Sequence, residues 1–183
     1  MYYGIIARGI MDKQKNINVS FKKLDLVNKE LIIKYRSVGF YTSFGSTDDF
    51  YEEDGNGGER YIAWVKTRNE NEFSAFHVLF GNQIIGQLEL NLLNTDKSIG
   101  YINYYYLHEE YQGSGISMKM DEFVINYYRK RGINKMQLAV SPTNKRAYAY
   151  YEKCGWSFLI EKDYINKDGV NLGHKIHILQ RSI

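Results

Sequence analysis

The fold of this chain is decided by the stretch Tyr111-Gln112-Gly113-Ser114-Gly115-Ile116-Ser117. Residues 99–107, which precede it, are built largely of Tyr and Ile, and both favour strands. After it, apolar residues recur at helical spacing, at Ile116, Met120, Phe123, Val124 and Tyr127. The stretch therefore predicts a turn that joins a strand to a helix.

A glycine-rich turn in this position can bind an anion. Small residues let the backbone come close to a ligand, and the first N–H groups of a helix lack internal partners and point outward. The positive end of the helix dipole adds to the attraction. The spacing is neither a Walker P-loop nor the dinucleotide fingerprint Gly-x-Gly-x-x-Gly. Taken alone, the stretch is explained equally well as an ordinary tight turn.

Patterns on both sides of the turn predict the other elements. A first helix, capped by Asp25, is indicated by apolar residues at Leu24, Val27, Leu31, Tyr35 and Val38. A short helix at 59–68 follows, then strands at 73–80, 84–92 and 99–107, the helix from 116 to the basic stretch 129–131, a strand at 136–140, a helix at 144–153 and strands at 156–165 and 172–180. With one strand before the first helix, this order predicts an α/β (α+β) fold, with a mixed, mostly antiparallel central sheet flanked by helices.

Composition limits the class of protein. The 183 residues, 44% of them hydrophobic, suit one domain, expected over residues 17–183, with an addition at residues 1–16 that supplies a strand or a homodimer contact. A net charge of +3 argues against a nucleic-acid partner, and there is no window of roughly 20 apolar residues to span a membrane. Cys154 is the single cysteine, which excludes an internal disulfide and favours the reducing cytoplasm.

A second stretch, from Asn144 to Trp156, has the pattern Asn-x-x-Ala-x-x-x-Tyr-Glu-Lys-x-Gly-Trp. Together the two stretches resemble the general-control-related N-acetyltransferase (GNAT) superfamily. Gln112, Gly115 and, more loosely, Ser117 match its Gln/Arg-x-x-Gly-x-Gly/Ala signature, and the second stretch is similar to its Asn-x-x-Ala-x-x-Leu-Tyr-Glu-Lys-x-Gly-Phe pattern. The match covers residues 107–156, with departures at Ser117, Tyr150 and Trp156.

This resemblance implies an acyl-CoA N-acyltransferase-like fold and an enzyme that passes an acetyl group from acetyl-CoA, its co-substrate, to an amine. The cofactor pyrophosphate would be held by backbone N–H groups of Gln112, Gly113, Ser114, Gly115, Ile116 and Ser117. Leu107, at the end of the preceding strand, would pair with the pantetheine arm, and Asn144 would hydrogen-bond to it. Tyr151 would protonate the departing CoA thiolate, because a phenol of pKa near 10 can donate to a thiolate whose acid has a pKa of about 8.5. In a chain with 17 tyrosines, Tyr151 is alternatively a core aromatic of its helix.

The general base is left unassigned. By resemblance it is often a Glu or His on the strand that leads to the glycine-rich turn, but residues 101–107 contain neither. Glu89 on the neighbouring strand, or His108, Glu109 and Glu110 beside the turn, could act through water.

Charge is distributed unevenly along the chain. Residues 48–54 carry five acidic side chains, with aromatic residues at Phe40, Tyr41, Phe44, Phe50 and Tyr51. By resemblance this loop lines the acceptor side, and carboxylates and aromatic rings both attract ammonium groups; a solvated loop is the alternative. Residues 113–153 carry eight basic and three acidic side chains, which suits an anionic cofactor. Within that range Lys119, Lys145 and Arg146 are candidates for the nucleotide phosphates.

We therefore expect an acetyl-CoA-dependent N-acetyltransferase that acts on the primary amine of a cationic small molecule. Two alternatives stay open: a CoA-binding or sensor module without turnover, and acetylation of a protein lysine, a protein N-terminus or an aminoacyl-tRNA. No metal is expected, because His174 and His177 are three residues apart on a predicted strand and so face opposite ways.

Overall fold

A computed structural model describes residues 18–48, 50–51, 58–68, 74–166 and 169–183. The predicted addition at residues 1–16 lies outside these ranges, as do Asp49, Glu52, Glu53 and Asp54 of the acidic loop. The strands are β1 (Val19–Lys23), β2 (Ser74–Phe80), β3 (Gln83–Leu93), β4 (Asp96–Leu107), β5 (Lys135–Val140), β6 (Ser157–Ile165) and β7 (Asn171–Ser182). The helices are α1 (Lys29–Phe44), α2 (Glu59–Arg68), α3 (Ile116–Arg129) and α4 (Lys145–Lys153). Short 3₁₀ turns lie at Leu26–Asn28 and Glu109–Tyr111.

The strands form one seven-stranded sheet in the order β1-β2-β3-β4-β5-β7-β6. Neighbouring strands are antiparallel, except that β4 and β5 are parallel. Tight turns can join antiparallel neighbours, whereas the parallel pair needs a crossover, which α3 supplies. The predicted order of elements and the mixed, mostly antiparallel sheet are thus confirmed.

Helices cover both faces of the sheet. Successive side chains of a strand point to opposite faces, so Ala75 packs with Ile32 of α1 and Val65 of α2, while the next residue, Phe76, packs with Met120 of α3. Strand β2 is buried along nearly its whole length for this reason, and its sequence shows only loose alternation. Among the described residues, no helix combines the length and apolar character needed to cross a bilayer.

The first helix begins later than its sequence pattern indicates. Asp25 accepts a hydrogen bond from the N–H of Val27 at 3.0 Å, but it caps the 3₁₀ turn rather than α1 itself. Val27, predicted on the buried face, is 84% exposed. The apolar residues that α1 buries are Ile32, Tyr35 and Phe40. The prediction was wrong at this point because a 3₁₀ turn has fewer residues per turn than an α-helix. Helical spacing counted from residues before the turn therefore does not predict which face of α1 is buried.

Strands β4 and β5 separate in the middle of the sheet. They pair only between Gly100–Ile102 and Met136–Leu138, although β4 continues to pair with β3 as far as Leu107. At the point of separation β4 carries one extra residue, Asn103, relative to β3. Such a bulge bends the strand and increases its twist. The wedge-shaped opening between the ends of β4 and β5 is called the split below.

Candidate active site

The glycine-rich turn connects the free end of β4, at the open side of the split, to α3. Gly113 and Gly115 have φ angles of +83° and +92°, in the left-handed region where a side chain is strained. No acceptor among the described residues takes the backbone N–H groups of Gly113, Gly115 or Ser117. The turn therefore presents unpaired donors at the positive end of α3, an arrangement that binds anions.

Gln112 closes the turn back onto β4. Its side-chain Nε2 donates to the carbonyl oxygen of Leu107 at 2.8 Å. The hydroxyl of Ser114 donates to the carbonyl oxygen of Tyr111 at 2.5 Å and accepts from the N–H of Ile116 at 3.4 Å. These contacts hold the turn in shape, so the side chains of Gln112 and Ser114 have structural partners of their own.

Three elements converge beside the turn through two tyrosine hydroxyls. Tyr105 of β4 and Tyr150 of α4 both donate to the carbonyl oxygen of Ser117 in α3, at 2.7 and 2.8 Å. The two hydroxyl oxygens are 3.2 Å apart. Burial raises the pKa of both phenols, which keeps them protonated and able to donate. The contact links the first turn of α3 to the middle of α4 and to the edge of the split.

Tyr151 lies one residue further along α4 and packs against the core. Its ring centroid is 5.9 Å from that of Trp156 and 6.5 Å from that of Tyr105. Burial raises the pKa of Tyr151, and the neighbouring Cys154 and Asp121 raise it further. Its hydroxyl has no hydrogen-bond partner among the described residues. The hydroxyl is therefore protonated and available to donate, but its raised pKa makes it a weaker acid than an ordinary tyrosine, and its packing also agrees with a core aromatic.

Asn144 begins α4. Its Oδ1 accepts a hydrogen bond from the N–H of Ala147 at 3.1 Å, as expected for an N-cap residue. The side chain of Asn144 thus has a local role as a helix cap, and its contact with pantetheine stays a prediction.

A buried polar cluster lies on the opposite face of the sheet, against α1 and α2. Its centre is Glu89 of β3, whose side chain is fully buried. Tyr61 of α2 donates to Oε1, Gln87 donates to the same oxygen at 2.9 Å, and Asn103 donates to Oε2 at 2.7 Å. Nη1 of Arg36 lies 3.9 Å from Oε2. Of the four candidate bases, Glu89 is therefore surrounded by donors already.

Arg36 itself is enclosed by aromatic rings. Its guanidinium carbon is 4.7 Å from the ring centroid of Tyr104 and 5.7 Å from those of Phe40 and Tyr61. Burial lowers the pKa of Arg36, but the Glu89 carboxylate and the neighbouring tyrosines outweigh this effect and raise it overall. The cluster therefore holds a charged pair in place of an apolar core at this point of the sheet.

The end of α1 reaches across to the C-terminal strands. The ring of Phe44 stacks on His174 of β7 at 4.4 Å and lies 4.9 Å from Tyr164 of β6. The hydroxyl of Thr143, after β5, donates to the carbonyl oxygen of Ser43 at 3.5 Å. Aromatic side chains therefore lie on the α1 side of the split.

The remaining candidate residues lie apart from one another. His174 faces α1, whereas His177 contacts Tyr148 of α4 at 3.2 Å, so the two histidines point to opposite faces as predicted. Within the described ranges no cluster of His, Cys, Asp or Glu could hold a metal ion. Cys154 is partly buried against the core on the α3 and α4 face.

The comparison with protein families agrees with this arrangement. Residues 35–156, about two thirds of the chain, match the model of the acetyltransferase (GNAT) family. The chain belongs to this family. It is accordingly an acyltransferase with acetyl-CoA as co-substrate, which confirms the resemblance, the enzyme class and the cofactor expected from the sequence.

Solved structures share the fold of this GNAT acetyltransferase. Spermidine N-acetyltransferase from Vibrio cholerae, in complex with CoA and spermine, has a TM-score of 0.69 at 17% identity, covering 91% of this chain and 96% of that one. PaiA N-acetyltransferase from Thermoplasma acidophilum, in complex with coenzyme A, has a TM-score of 0.66 at 16% identity, covering 91% and 99%. Ribosomal-protein-alanine N-acetyltransferase from Brucella melitensis has a TM-score of 0.68 at 12% identity, covering 90% of this chain and 99% of that one. A search of curated protein sequences gives no significant match.

Sequence reasoning missed several residues around the split of this GNAT chain. Tyr150 is visible in the sequence as a departure from the family's Leu, but its partner Tyr105 is not predictable from spacing. Glu89 was named as a candidate base, and nothing in the sequence pairs it with Arg36. The bulge at Asn103 leaves no local signal, because it depends on how β4 meets β3.

Proposed function

We propose that this GNAT acetyltransferase transfers the acetyl group of acetyl-CoA to the primary amine of a cationic small molecule. The observation that carries the proposal is the split, with the unpaired N–H groups of the glycine-rich turn at its open end. The unpaired edge of a strand can bind an extended ligand by adding a strand, and free N–H groups at the start of a helix bind phosphate. The pantetheine arm and pyrophosphate of CoA fit these two requirements together.

In this proposal the donor lies along β4 and the turn. The pyrophosphate lies against the turn from Gln112 to Ser117 and binds its unpaired N–H groups, and the pantetheine arm pairs with the edge of β4 that ends at Leu107. Asn144 keeps Oδ1 on its helix cap and donates to pantetheine from its side-chain amide. Because these groups belong to β4, α3 and α4, the contact of Tyr105, Tyr150 and Ser117 supports a fixed spacing between them.

The chemistry follows from the same placement. The amine nitrogen attacks the carbonyl carbon of the thioester, a C–N bond forms and the C–S bond breaks. Tyr151 gives its proton to the departing sulfur, and the proton that the amine loses passes through water to the Tyr151 phenolate, which restores the phenol. Glu89 is not the base in this proposal, because Tyr61, Gln87 and Asn103 already donate to its carboxylate.

Several observations support a cationic acceptor. Aromatic rings of Phe44 and Tyr164 lie on the α1 side of the split, and residues 48–54 carry five acidic side chains in the sequence. Both kinds of group attract ammonium. The structurally similar enzyme from Vibrio cholerae is a spermidine N-acetyltransferase crystallised with spermine. A polyamine is therefore the first acceptor to test.

Binding of the donor is tested by thermal shift with acetyl-CoA. Saturating acetyl-CoA is expected to raise the Tm of the wild type, because a ligand that binds the native state stabilises it. Gly113→Ala is the matched variant: its new Cβ meets no atom within 4 Å, but the φ of +83° is strained for alanine. We expect a smaller shift for this variant, and an absent shift in the wild type would contradict the proposed donor site.

Turnover is tested by release of the CoA thiol across a panel of amines. The panel contains spermidine, an aminoglycoside, a lysine peptide, a peptide with a free N-terminus and a neutral aromatic amine. Preference for spermidine or the aminoglycoside supports a cationic small-molecule acceptor. Preference for either peptide would move the function to protein acetylation, and binding of acetyl-CoA without turnover on any amine would favour a CoA-binding module.

A further inference from the structure

The bulge at Asn103 stands where the two halves of the sheet part. Leu90 of β3 is opposite Ile102 of β4, and Glu89 is opposite Tyr104, so Asn103 has no partner in the β3 ladder. The last pair between β4 and β5 is Ile102 with Leu138. A bulged residue lies outside the regular hydrogen bonds of the sheet. Its conformation must therefore be held by other groups.

Two charged side chains hold Asn103 from the α1 and α2 face. Nη1 of Arg36 donates to the carbonyl oxygen of Asn103 at 3.3 Å. The side-chain Nδ2 of Asn103 donates to Oε2 of Glu89 at 2.7 Å. Nη1 of Arg36 also lies 3.9 Å from that same oxygen. Each of the three residues contacts the other two, so backbone and side chain of Asn103 are both fixed.

The charges in this triangle are mostly out of water. The side chain of Glu89 is 0% exposed and that of Arg36 is 21% exposed. Helix α2 adds a further contact, since Tyr61 donates to Glu89. Because desolvation offsets most of the attraction, a buried ion pair often stabilises a fold no more than apolar side chains of similar volume. What the pair does provide is a defined geometry at one point of β4.

We propose that Arg36 and Glu89 are positioning residues that hold the Asn103 bulge and thereby set the geometry of the split. The proposal rests on the proposed function, because it places the reacting thioester where β4 and β5 part. Neither side chain touches the substrate in this view. They act through Asn103, whose backbone forms the edge of β4 at the narrow end of the split.

The first test follows the bulge directly and needs no substrate. Glu89→Gln removes the negative charge and places a side-chain NH₂ group, itself a donor, against the donors Tyr61, Gln87 and Asn103. Val65→Ala is the matched control, because Val65 is fully buried on α2 in the same cluster as Tyr61 but belongs to the apolar core. Amide hydrogen exchange over residues 102–105 is expected to speed up in Glu89→Gln and to stay near wild type in Val65→Ala. Equal exchange in the two variants overturns the proposal.

The second test measures turnover with the best amine of the panel, below the melting range of every variant. Glu89→Gln is expected to lower kcat by about 10- to 100-fold, as for a small misplacement of reacting groups, with little change in acetyl-CoA affinity. Val65→Ala is expected to keep its kcat. If Glu89→Gln does not fold, Arg36→Lys replaces it, because lysine keeps the charge but not the planar guanidinium. A wild-type kcat in the folded variant overturns the proposal. If the wild-type protein acetylates no amine, the proposed function is overturned instead, and the role of Arg36 and Glu89 at the bulge is then decided by the hydrogen-exchange test alone.

Discussion

Gly39 lets α1 approach β4 closely, and substituting it with alanine is expected to push the two apart. A Cβ built at Gly39 would lie 2.5 Å from Cε2 and 3.0 Å from the hydroxyl oxygen of Tyr104. Contact between carbon atoms is comfortable at about 3.5–4.0 Å, so the helix and the ring must separate by roughly 1 Å. The ring cannot easily give way, since its hydroxyl donates to the carbonyl oxygen of Tyr35 and Arg36 lies over its face.

Two effects of Gly39→Ala oppose each other. Alanine favours the helix by about 1 kcal/mol relative to glycine. Overpacking against a fixed neighbour costs about 1–3 kcal/mol. The clash is expected to prevail, with a net loss of up to about 2 kcal/mol and a fall in Tm of up to about 8 °C for a chain of this length. Thr42→Ala, at an exposed position of the same helix, is the control and is expected to leave the Tm nearly unchanged.

The assay is thermal unfolding of the single variants and of Gly39→Ala in a Tyr104→Leu background. With the ring removed, the helix preference is unopposed, and Gly39→Ala should then stabilise by up to about 1 kcal/mol. In kinetics, the displaced helix should raise the acceptor KM and leave acetyl-CoA affinity alone. A loss of stability of the same size in both backgrounds would refute the reasoning, because the Tyr104 contact would then not be its cause.

Other substitutions test the site and the core. Tyr151→Phe is expected to lower kcat about 100-fold with unchanged acetyl-CoA affinity, since it removes the proposed proton donor; a loss of stability with normal kcat would identify a core aromatic instead. Tyr128→Phe removes a buried hydroxyl that contacts the backbone of β3 and β4 at 2.8 and 2.9 Å, so urea unfolding should show a loss of about 1–3 kcal/mol. Burial lowers the pKa of His77, so the fold favours its neutral form. The contribution of neutral His77 to the free energy of unfolding is fully present above about pH 6.5, and it is lost as the pH falls toward the lower pKa of the folded state. Urea unfolding should therefore show wild type losing more stability than His77→Gln between about pH 7 and about pH 5.

The strands and helices that the sequence predicts well are those set by local patterns. β2, β3 and β4 follow from their alternation and tight turns, and α3 follows from apolar residues at helical spacing on either side of Met120. The helix at Lys145–Lys153 is marked by a capping residue, Asn144, and a closing glycine, Gly155, with a φ of +82°. Each of these signals lies within one short window of sequence, so no knowledge of tertiary contacts is needed.

The features that the sequence does not predict depend on residues far apart in the chain. The pairing of Arg36 with Glu89 joins α1 to β3, and the shared carbonyl of Ser117 joins Tyr105 to Tyr150. These contacts follow from packing the helices on the sheet. The cofactor-binding and catalytic residues were predicted from their resemblance to the family's motifs, and their roles stay predictions. The cytoplasmic location and the homodimer also stay predictions.

The short parallel pairing has a consequence for the use of this protein as a tool. Strands β1–β4 and β5–β7 are each continuous in sequence, and across the middle of the sheet only Gly100–Ile102 and Met136–Leu138 pair the two groups. Gly132, at an exposed turn between α3 and β5, is a natural place to divide the gene. If acetyl-CoA spans the seam, two fragments divided there should reassemble more readily when it is present. A fluorescent reporter built on such fragments would then read out the supply of activated acetyl groups.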